Sequence, residues 1–268
     1  MHNNTSIVPY VSLCSGYEGI GLGLHRYIPN LRCIAYCERE AFAIANLVAK
    51  MENGLLDAAP VFTDVTTFPW EQYAPYMAGG ILSFGWPCQP VSCAGKRKAT
   101  EDERWLFDII ADGISIMRPG LIFAENVEGL LSAKMPNGSL VFAHCVDRLE
   151  SLHYKVAAGI FSASECGAPH QRKRVFILAH DQSERVQRMW STWQQESPAY
   201  EQSQLPVRSC PRTDWSDGTT EPILVRMADG GADWVDRMRL LGNGVVPATA
   251  ALAFTTLLNE QRNPRHLA

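Results

Sequence analysis

The sequence lacks both the long apolar run of a membrane protein and the paired cysteines of a disulfide-rich or zinc-binding protein. No hydrophobic stretch approaches the length of a membrane span, and the amino terminus, Met1-His2-Asn3-Asn4, does not resemble a signal peptide. The eight cysteines are scattered, with no C-x-x-C pair and no neighbouring ligands of the kind a zinc site needs. We therefore expect reduced thiols in a cytoplasmic protein.

The chain also lacks a strong charge excess of either sign. Among 268 residues, 24 are Lys or Arg and 28 are Asp or Glu, which gives a formal net charge of −4. A nucleic-acid-binding protein usually shows a basic footprint, and here such a footprint can only be local. The basic segments are Lys96 to Lys98, Arg172 to Arg174 and the arginines between Arg208 and Arg239. Each of them is equally compatible with a solvated surface, so charge alone leaves the partner open.

What the chain does have is a regular alternation of short apolar runs and helical segments. Its hydrophobic content of 46% and charged content of 19% are enough for one large α/β domain with a small appendage. This alternation predicts a doubly wound, mostly parallel sheet. The expected strands are Val8–Leu13, Cys33–Cys37, Val61–Val65, Gly80–Phe84, Leu121–Ala124, Tyr154–Phe161 and Val175–Ala179. The expected helices are Arg39–Lys50, Asp102 or Glu103 to Ile116, and an apolar helix that ends near Leu258.

One strand end carries the strongest candidate for chemistry. The run from Gly80 to Phe84 stops at a glycine, and Pro87 and Pro90 bracket Cys88, so neither strand nor helix can continue there. Open α/β sheets place their active sites in loops at the carboxyl ends of strands. Cys88 is therefore a candidate nucleophile. The alternative is a cysteine that serves only as a small buried apolar residue.

Cys88 belongs to a series of four motifs that stand in a fixed order along the chain. The motifs are Pro87-Cys88-Gln89, Glu125-Asn126-Val127, Gln171-Arg172-Lys173-Arg174 and Gly242-Asn243-Gly244-Val245. In this order and at these spacings they resemble the DNA (cytosine-5)-methyltransferases, and the resemblance runs from about Val11 to Leu258. It implies the S-adenosylmethionine-dependent methyltransferase fold and methylation of C5 of a flipped-out cytosine.

The resemblance also implies a role for each catalytic side chain. The Cys88 thiolate would add to C6 of the cytosine, since a thiolate is available near neutral pH. Glu125 would meet N3 and the exocyclic amine, and Arg174 would meet O2 and orient Glu125. Asn126 would hold the Cys88 loop, and Arg172 completes the catalytic set. No metal is required, and no base for the C5 proton is evident, so that water can serve.

The implied cofactor is S-adenosylmethionine, held at the ends of the first strands. A glycine-rich turn follows the first strand, and an acidic residue follows the second, where it can accept hydrogen bonds from ribose hydroxyls. The cofactor-binding residues that the resemblance implies are Cys14, Gly16, Gly19, Glu38, Asp64, Pro87, Asn243 and Val245. Taken singly, the glycine turn could bind nothing, Glu38 could favour a helix start, and Asp64 could be a turn or cap residue.

The glycine-rich turn departs from the family pattern at three positions. Ser12 stands where an aspartate is common, Cys14 where an aromatic residue often stacks on the adenine, and Glu18 where another glycine is frequent. We expect these differences to bear on the affinity for the cofactor rather than on its identity.

Composition changes after about His180, where Gln, Ser, Pro, Trp and Thr replace the apolar periodicity. We expect a catalytic and cofactor-binding domain over residues 1–180, a short target-recognition region over 181–229, and a segment over 230–268 that returns to the catalytic domain beside the first strand. Arg208, Arg212 and Arg226 are the candidate readers of guanine. The alternative for the middle region is a surface insertion without a specific role.

The implied partner is double-stranded DNA, bound by a monomer that has no membrane partner and that can work with a cognate restriction endonuclease or in a phage. Flipping the target cytosine out of the duplex leaves a space that the loop from Gln89 to Lys98 or the segment after Asp181 could fill. Two alternatives stay open. A transfer-RNA cytosine-5-methyltransferase shares these motifs, but the Cys-Phe-Thr signature of that branch is absent. A catalytically silent DNA-binding relative would be expected to lose Cys88 or Glu125, and both are present.

Overall fold

A computed structural model describes residues 7–87, 105–183 and 244–262. Cys88 and Asn243 lie outside these ranges, as do nearly all residues of the expected recognition region. Within the described part, no helix is both long enough and apolar enough to cross a membrane.

Seven strands form one sheet in the order β3-β2-β1-β4-β5-β7-β6. All neighbouring strands are parallel except β7, which runs antiparallel to both β5 and β6. The mixed α/β architecture with a mostly parallel sheet is thus confirmed. The strands are β1 Val8–Leu13, β2 Leu31–Cys37, β3 Val61–Phe62, β4 Ile81–Gly85, β5 Leu121–Val127, β6 Tyr154–Phe161 and β7 Arg174–Asp181.

Helices cover both faces of the sheet, so successive residues of a strand enter two different cores. Val11 and Leu82 pack on the face covered by α3, α4 and α5. Tyr10 and Ile81 pack on the opposite face, under α1, α2 and α6. Burial on both faces explains why the strands are apolar throughout rather than alternating. The helices are α1 Gly19–Leu24, α2 Ala41–Glu52, α3 Trp70–Met77, α4 Leu106–Met117, α5 Val141–Ser151 and α6 Pro247–Arg262.

Two strand boundaries differ from the sequence expectation in a way that shapes the site. β5, expected to end at Ala124, continues to Val127 because β7 pairs with it over this whole length. Glu125 and Asn126 are therefore buried strand residues and do not belong to an open loop. The expected strand from Val61 to Val65 contains only two strand residues, and Asp64 instead begins a 3-10 turn at Val65–Thr67.

Two helices, α2 and α6, also differ from expectation. α2 begins at Ala41 rather than Arg39, since the Glu38 carboxylate accepts the amides of Arg39 and Glu40 before the helix starts. α6 extends to Arg262, and its most extensive contacts are with α1, β6 and β7 rather than with β1. Close packing of α6 on α1 requires Gly23, where a Cβ would lie 2.6 Å from the Pro247 carbonyl oxygen.

Candidate functional site

The site lies where the order of the strands reverses. β2 and β3 extend the sheet on one side of β1, whereas β4 and β5 extend it on the other. At such a point the connections after β1 and β4 leave in opposite directions and open a crevice at the carboxyl ends of the strands. One wall is the glycine-rich turn after β1, and the other begins at Trp86 and Pro87, which lead toward Cys88.

The glycine-rich turn is closed tightly by its own backbone. Cys14, Gly16 and Glu18 all have positive φ angles, of 49°, 55° and 71°. The Glu18 amide donates to the Ser15 carbonyl at 2.8 Å, and the Ser15 hydroxyl donates to the Ser12 carbonyl at 3.0 Å. Residues with positive φ angles thus alternate with residues of ordinary φ from Cys14 to Glu18, and α1 begins at the next residue, Gly19.

Glu38 lies beside this turn, as the sequence analysis expects. Its Oε2 accepts the Gly16 amide at 2.7 Å, and its Oε1 accepts the amides of Arg39 and Glu40 at 2.7 and 2.8 Å. The carboxylate therefore links the end of β2 to the glycine turn and also binds the two backbone amides that precede α2. Since each carboxylate oxygen can accept a second hydrogen bond, Glu38 can still receive a ligand hydroxyl on Oε2.

Asp64 is exposed at the tip of β3 and serves as the cap of a 3-10 turn. Its Oδ1 accepts both the amide of Thr66, at 2.8 Å, and its hydroxyl, at 2.7 Å. These two bonds, that of the hydroxyl first, lower the pKa of the carboxyl group. The cap role that the sequence left open is thus observed, and the charge of Arg39 also lowers the pKa of this carboxyl group.

The chain returns to the glycine turn at Gly244 and Val245. The sequence predicts Val245 among the residues near this turn. The Tyr17 hydroxyl donates to the Val245 carbonyl, and Nη2 of Arg172 donates to the Gly244 carbonyl. Gly19 is required at this contact, since a Cβ there would lie 2.0 Å from the Val245 carbonyl oxygen.

Sequence reasoning missed two residues that hold the turn in place. Lys50 on α2 donates through Nζ to the Tyr17 carbonyl at 2.7 Å, and its ammonium group lies 5.1 Å from the centre of the Tyr17 ring. Tyr17 therefore joins α2 to the returning chain at Val245. The bond between Lys50 and Tyr17 forms only when β1 and α2 are folded together, so no local pattern in the sequence announces it.

Glu125 is the acidic group at the base of the crevice. It is 6% exposed, lies opposite Gly85 on β4, and has its Oε1 2.9 Å from Nε of Arg174. A side chain at Gly85 would press on the carboxylate, since a Cβ there would lie 3.2 Å from Oε2. Burial raises the pKa of Glu125 to about 7, although the charges of Arg174 and then Arg172 oppose the rise. The carboxyl group can therefore hold or release a proton near neutral pH.

Asn126 faces the opposite side of the sheet and fixes the chain that precedes Cys88. Its Nδ2 donates to the Trp86 carbonyl at 3.0 Å, and its Oδ1 accepts the Val127 amide at 2.8 Å. Trp86 is buried, whereas Pro87 is exposed and ends the described segment. The structure thus brings Glu125, Asn126 and the approach to Cys88 together at the ends of β4 and β5.

Comparison with known proteins gives one family and a group of bacterial relatives. The model of the family "C-5 cytosine-specific DNA methylase" matches residues 8–226. The chain is 29% identical over 169 residues to type II methyltransferase M.NaeI of Lentzea aerocolonigenes, covering 63% of this chain and 39% of that protein. It is 30% identical over 176 residues to type II methyltransferase M.NlaX of Neisseria lactamica, covering 64% and 52%. The chain thus spans about half the length or less of these relatives.

A solved structure with a similar fold is the Dnmt2 methyltransferase of S. pombe. It superposes with a TM-score of 0.53 at 22% identity and covers 66% of this chain and 52% of that chain. The DNMT2 mutant of Spodoptera frugiperda gives a TM-score of 0.52 at 17% identity, with coverage of 66% and 51%. At these identities the likeness establishes the fold.

Proposed function

The chain belongs to the family of C-5 cytosine-specific DNA methylases, and on this basis we propose that it transfers a methyl group from S-adenosylmethionine to C5 of cytosine in double-stranded DNA. The observation that carries the proposal is the pairing of the buried Glu125 at the end of β5 with the half-buried Arg174 at the start of β7. Glu125 lies directly beside the end of β4, which leads to Cys88. A titrating carboxyl group, a guanidinium group and a candidate thiolate are the three groups that activation of a cytosine ring needs.

The ring must be activated because C5 of cytosine is a poor carbon nucleophile. In the proposed reaction the Cys88 thiolate forms a bond to C6, and the electrons of the C5–C6 double bond move so that C5 becomes nucleophilic. C5 then takes the methyl group, and water takes the C5 proton. The electrons of that C–H bond restore the C5–C6 double bond as the bond between sulfur and C6 breaks. The cysteine is thus regenerated as a thiolate, so the covalent step is catalytic.

Glu125 and Arg174 act on the opposite edge of the same ring. Negative charge develops at N3 and O2 during the addition of the thiolate. With a pKa raised to about 7 by burial, the Glu125 carboxyl group can share its proton with N3 and accept from the exocyclic amine. Arg174 holds Glu125 in this orientation through the 2.9 Å contact of its Nε. Because Nη1 donates to the Lys173 carbonyl at 2.9 Å, Nη2 is the group proposed to meet O2. Asn126 keeps the start of the Cys88 loop against β5.

We infer that S-adenosylmethionine binds in the crevice at the reversal of strand order. A carboxylate at the end of β2, Glu38, already contacts the glycine turn through the Gly16 amide, and its Oε2 can accept a ribose hydroxyl. When bound there, the cofactor supplies a methyl group on a positively charged sulfur. The residues proposed to hold it are Cys14, Gly16, Gly19, Glu38, Asp64, Pro87, Asn243 and Val245.

We further propose that target choice lies within residues 181–229. The last strand in the described part of the chain, β7, ends at Asp181. The Asp181 carboxylate accepts hydrogen bonds from Arg118 at 2.6 Å and from the Ser183 amide at 2.7 Å. Residues 184–243 lie outside the described part. A short region of this length presents few base-reading side chains, so we expect a short recognition site. A monomeric cytoplasmic enzyme and a cognate restriction endonuclease are consistent with the bacterial type II relatives.

The direct test is to express the full chain in a host without DNA methylation and to map 5-methylcytosine over the genome. We expect methylation at one short sequence, and none with Cys88→Ala. In parallel, purified protein and labelled S-adenosylmethionine are offered duplex DNA or transfer RNA. Transfer to RNA alone would overturn the DNA substrate, and DNA binding without any transfer would overturn the enzymatic proposal.

A further inference from the structure

A carboxylate is buried beneath the glycine turn, and the proposed chemistry does not use it. Glu18 is 2% exposed and has a φ of 71° and a ψ of 37°, a left-handed conformation that disfavours any residue with a Cβ. A glutamate is therefore an unfavourable residue for this backbone position, and burial makes it more so. Interactions of the side chain must compensate for both costs.

The side chain connects the turn with both strands that border the crevice. Oε1 of Glu18 accepts from the Tyr10 hydroxyl at 2.8 Å, and Oε2 accepts from the Ser12 hydroxyl at 2.7 Å. The Tyr10 hydroxyl lies 2.5 Å from the Ser83 hydroxyl on β4. The carboxylate thus fastens the turn to β1 directly and to β4 through Tyr10.

Space for the carboxylate is reserved by a glycine on α1. A Cβ at Gly21 would lie 2.0 Å from Oε1 of Glu18. Tyr10, Ser12 and Gly21 therefore accommodate this one side chain, and Ser83 contacts it only through Tyr10. These contacts indicate that the Glu18 side chain is a structural part of the turn rather than a tolerated substitution.

We propose that Glu18 is a positioning residue for S-adenosylmethionine, and that it supplies from the turn the carboxylate that relatives more commonly carry at position 12. The inference rests on the proposed function. Only 2.7 Å separates the Ser12 hydroxyl from the Glu18 carboxylate, so an aspartate at position 12 would place its own carboxylate in the same space. An aspartate at position 12 with a glycine at position 18 would therefore leave one carboxylate in this space, as the pair of Ser12 and Glu18 does.

The groups around Glu18 are consistent with a single carboxyl group whose pKa lies near neutral pH. Tyr10 on β1, Cys33 and Tyr36 on β2 and Lys50 on α2 interact electrostatically with it. Burial raises the pKa of Glu18 to about 7, whereas the hydrogen bonds from Ser12 and Tyr10 lower it. A second carboxylate in the same space would add repulsion and further burial cost, so two acids there should be worse than one.

The test moves the carboxylate and measures the affinity for S-adenosylmethionine by calorimetry on the full chain, with thermal unfolding in the absence of cofactor as a second readout. Glu18→Gly and Ser12→Asp should each weaken binding by about tenfold or more, the equivalent of one or two buried hydrogen bonds. The double variant S12D/E18G should bind within about threefold of the wild type. The matched control S12N/E18G, which lacks the charge, should not recover affinity.

Each result decides the inference separately from the proposed function. A wild type that does not bind S-adenosylmethionine would overturn the proposed function itself. If the wild type binds and E18G binds equally well, or if S12D/E18G is no better than S12N/E18G, the role of Glu18 is overturned while the function stands. Should E18G fail to fold, recovery of a folded, cofactor-binding protein in S12D/E18G but not in S12N/E18G still supports the relocation, and its absence overturns it.

Discussion

Replacing Glu125 with glutamine removes a buried acid without changing its size, and we expect its effect on stability to depend on pH. Burial raises the pKa of Glu125 from its ordinary value of 4.5 to about 7 against the opposing charges of Arg174 and Arg172. Glu125 is 6% exposed, so solvent screens these interactions little. Between the two pKa values the folded protein holds a proton at this group that the unfolded chain has released.

Proton linkage gives the direction in which the free energy of unfolding changes with pH. Since the pKa is higher in the folded state, the contribution of the group to stability is fully present below about 4.5 and is lost as the pH rises through about 7. One pKa unit corresponds to about 1.4 kcal/mol. Titration of Glu125 should therefore lower the free energy of unfolding of the wild type by roughly 2–3 kcal/mol between pH 5 and pH 8. The glutamine variant does not titrate at this position and keeps that free energy.

The assay is urea unfolding, followed by tryptophan fluorescence, of the wild type and Glu125→Gln at pH 5 and pH 8. The variant should gain roughly 2–3 kcal/mol relative to the wild type over this range. The titration of Glu18 is common to both proteins and cancels in the difference. Glu128→Gln is the matched control, because it removes an exposed carboxyl group three residues away. If the difference for Glu125→Gln is the same at both pH values, burial does not raise the pKa, and proton sharing with N3 loses its basis.

Three further predictions concern the glycine turn, the segment that leads to Cys88, and target choice. Tyr17→Phe removes the hydroxyl bond to the Val245 carbonyl and should lower the free energy of unfolding by about 1 kcal/mol and weaken cofactor binding in calorimetry; exposed Tyr76→Phe is the control, and equal losses in both variants would contradict the role of Tyr17. Asn126→Ala leaves the buried Trp86 carbonyl unpaired and should cost about 1–3 kcal/mol of stability and lower kcat; an unchanged kcat would separate Asn126 from the Cys88 loop. Arg212→Ala should relax the preference at one base position by about 1–3 kcal/mol with unchanged cofactor affinity, as sequencing of methylated products would show; an unchanged site would place recognition elsewhere.

The sequence alone determined the fold class, most of the strands and the order of the motifs. Apolar runs such as Gly80–Phe84 and Tyr154–Phe161 are short and are bounded by glycine, proline or polar residues, so their extent can be read locally. Proximity of Glu38 to the glycine turn also followed from the sequence, because both come at the carboxyl ends of adjacent parallel strands. These features depend on the chain itself or on the general geometry of parallel sheets.

Other features were decided only by tertiary structure. Burial raises the pKa of Glu125 because β7 pairs with β5 past Ala124, whereas Arg174, which β7 brings beside it, opposes the rise. Asp64 is exposed because β3 ends after two residues, which its local sequence does not show.

The sequence predicts only that Glu18, at a position where glycine is frequent, bears on the affinity for the cofactor. The fold surrounds it with the hydroxyl groups of Tyr10 and Ser12. The physical reason is the same in each case: the burial of a side chain, and hence its charge state and its hydrogen bonds, depends on residues far away in the sequence that only the folded chain brings within a few ångströms.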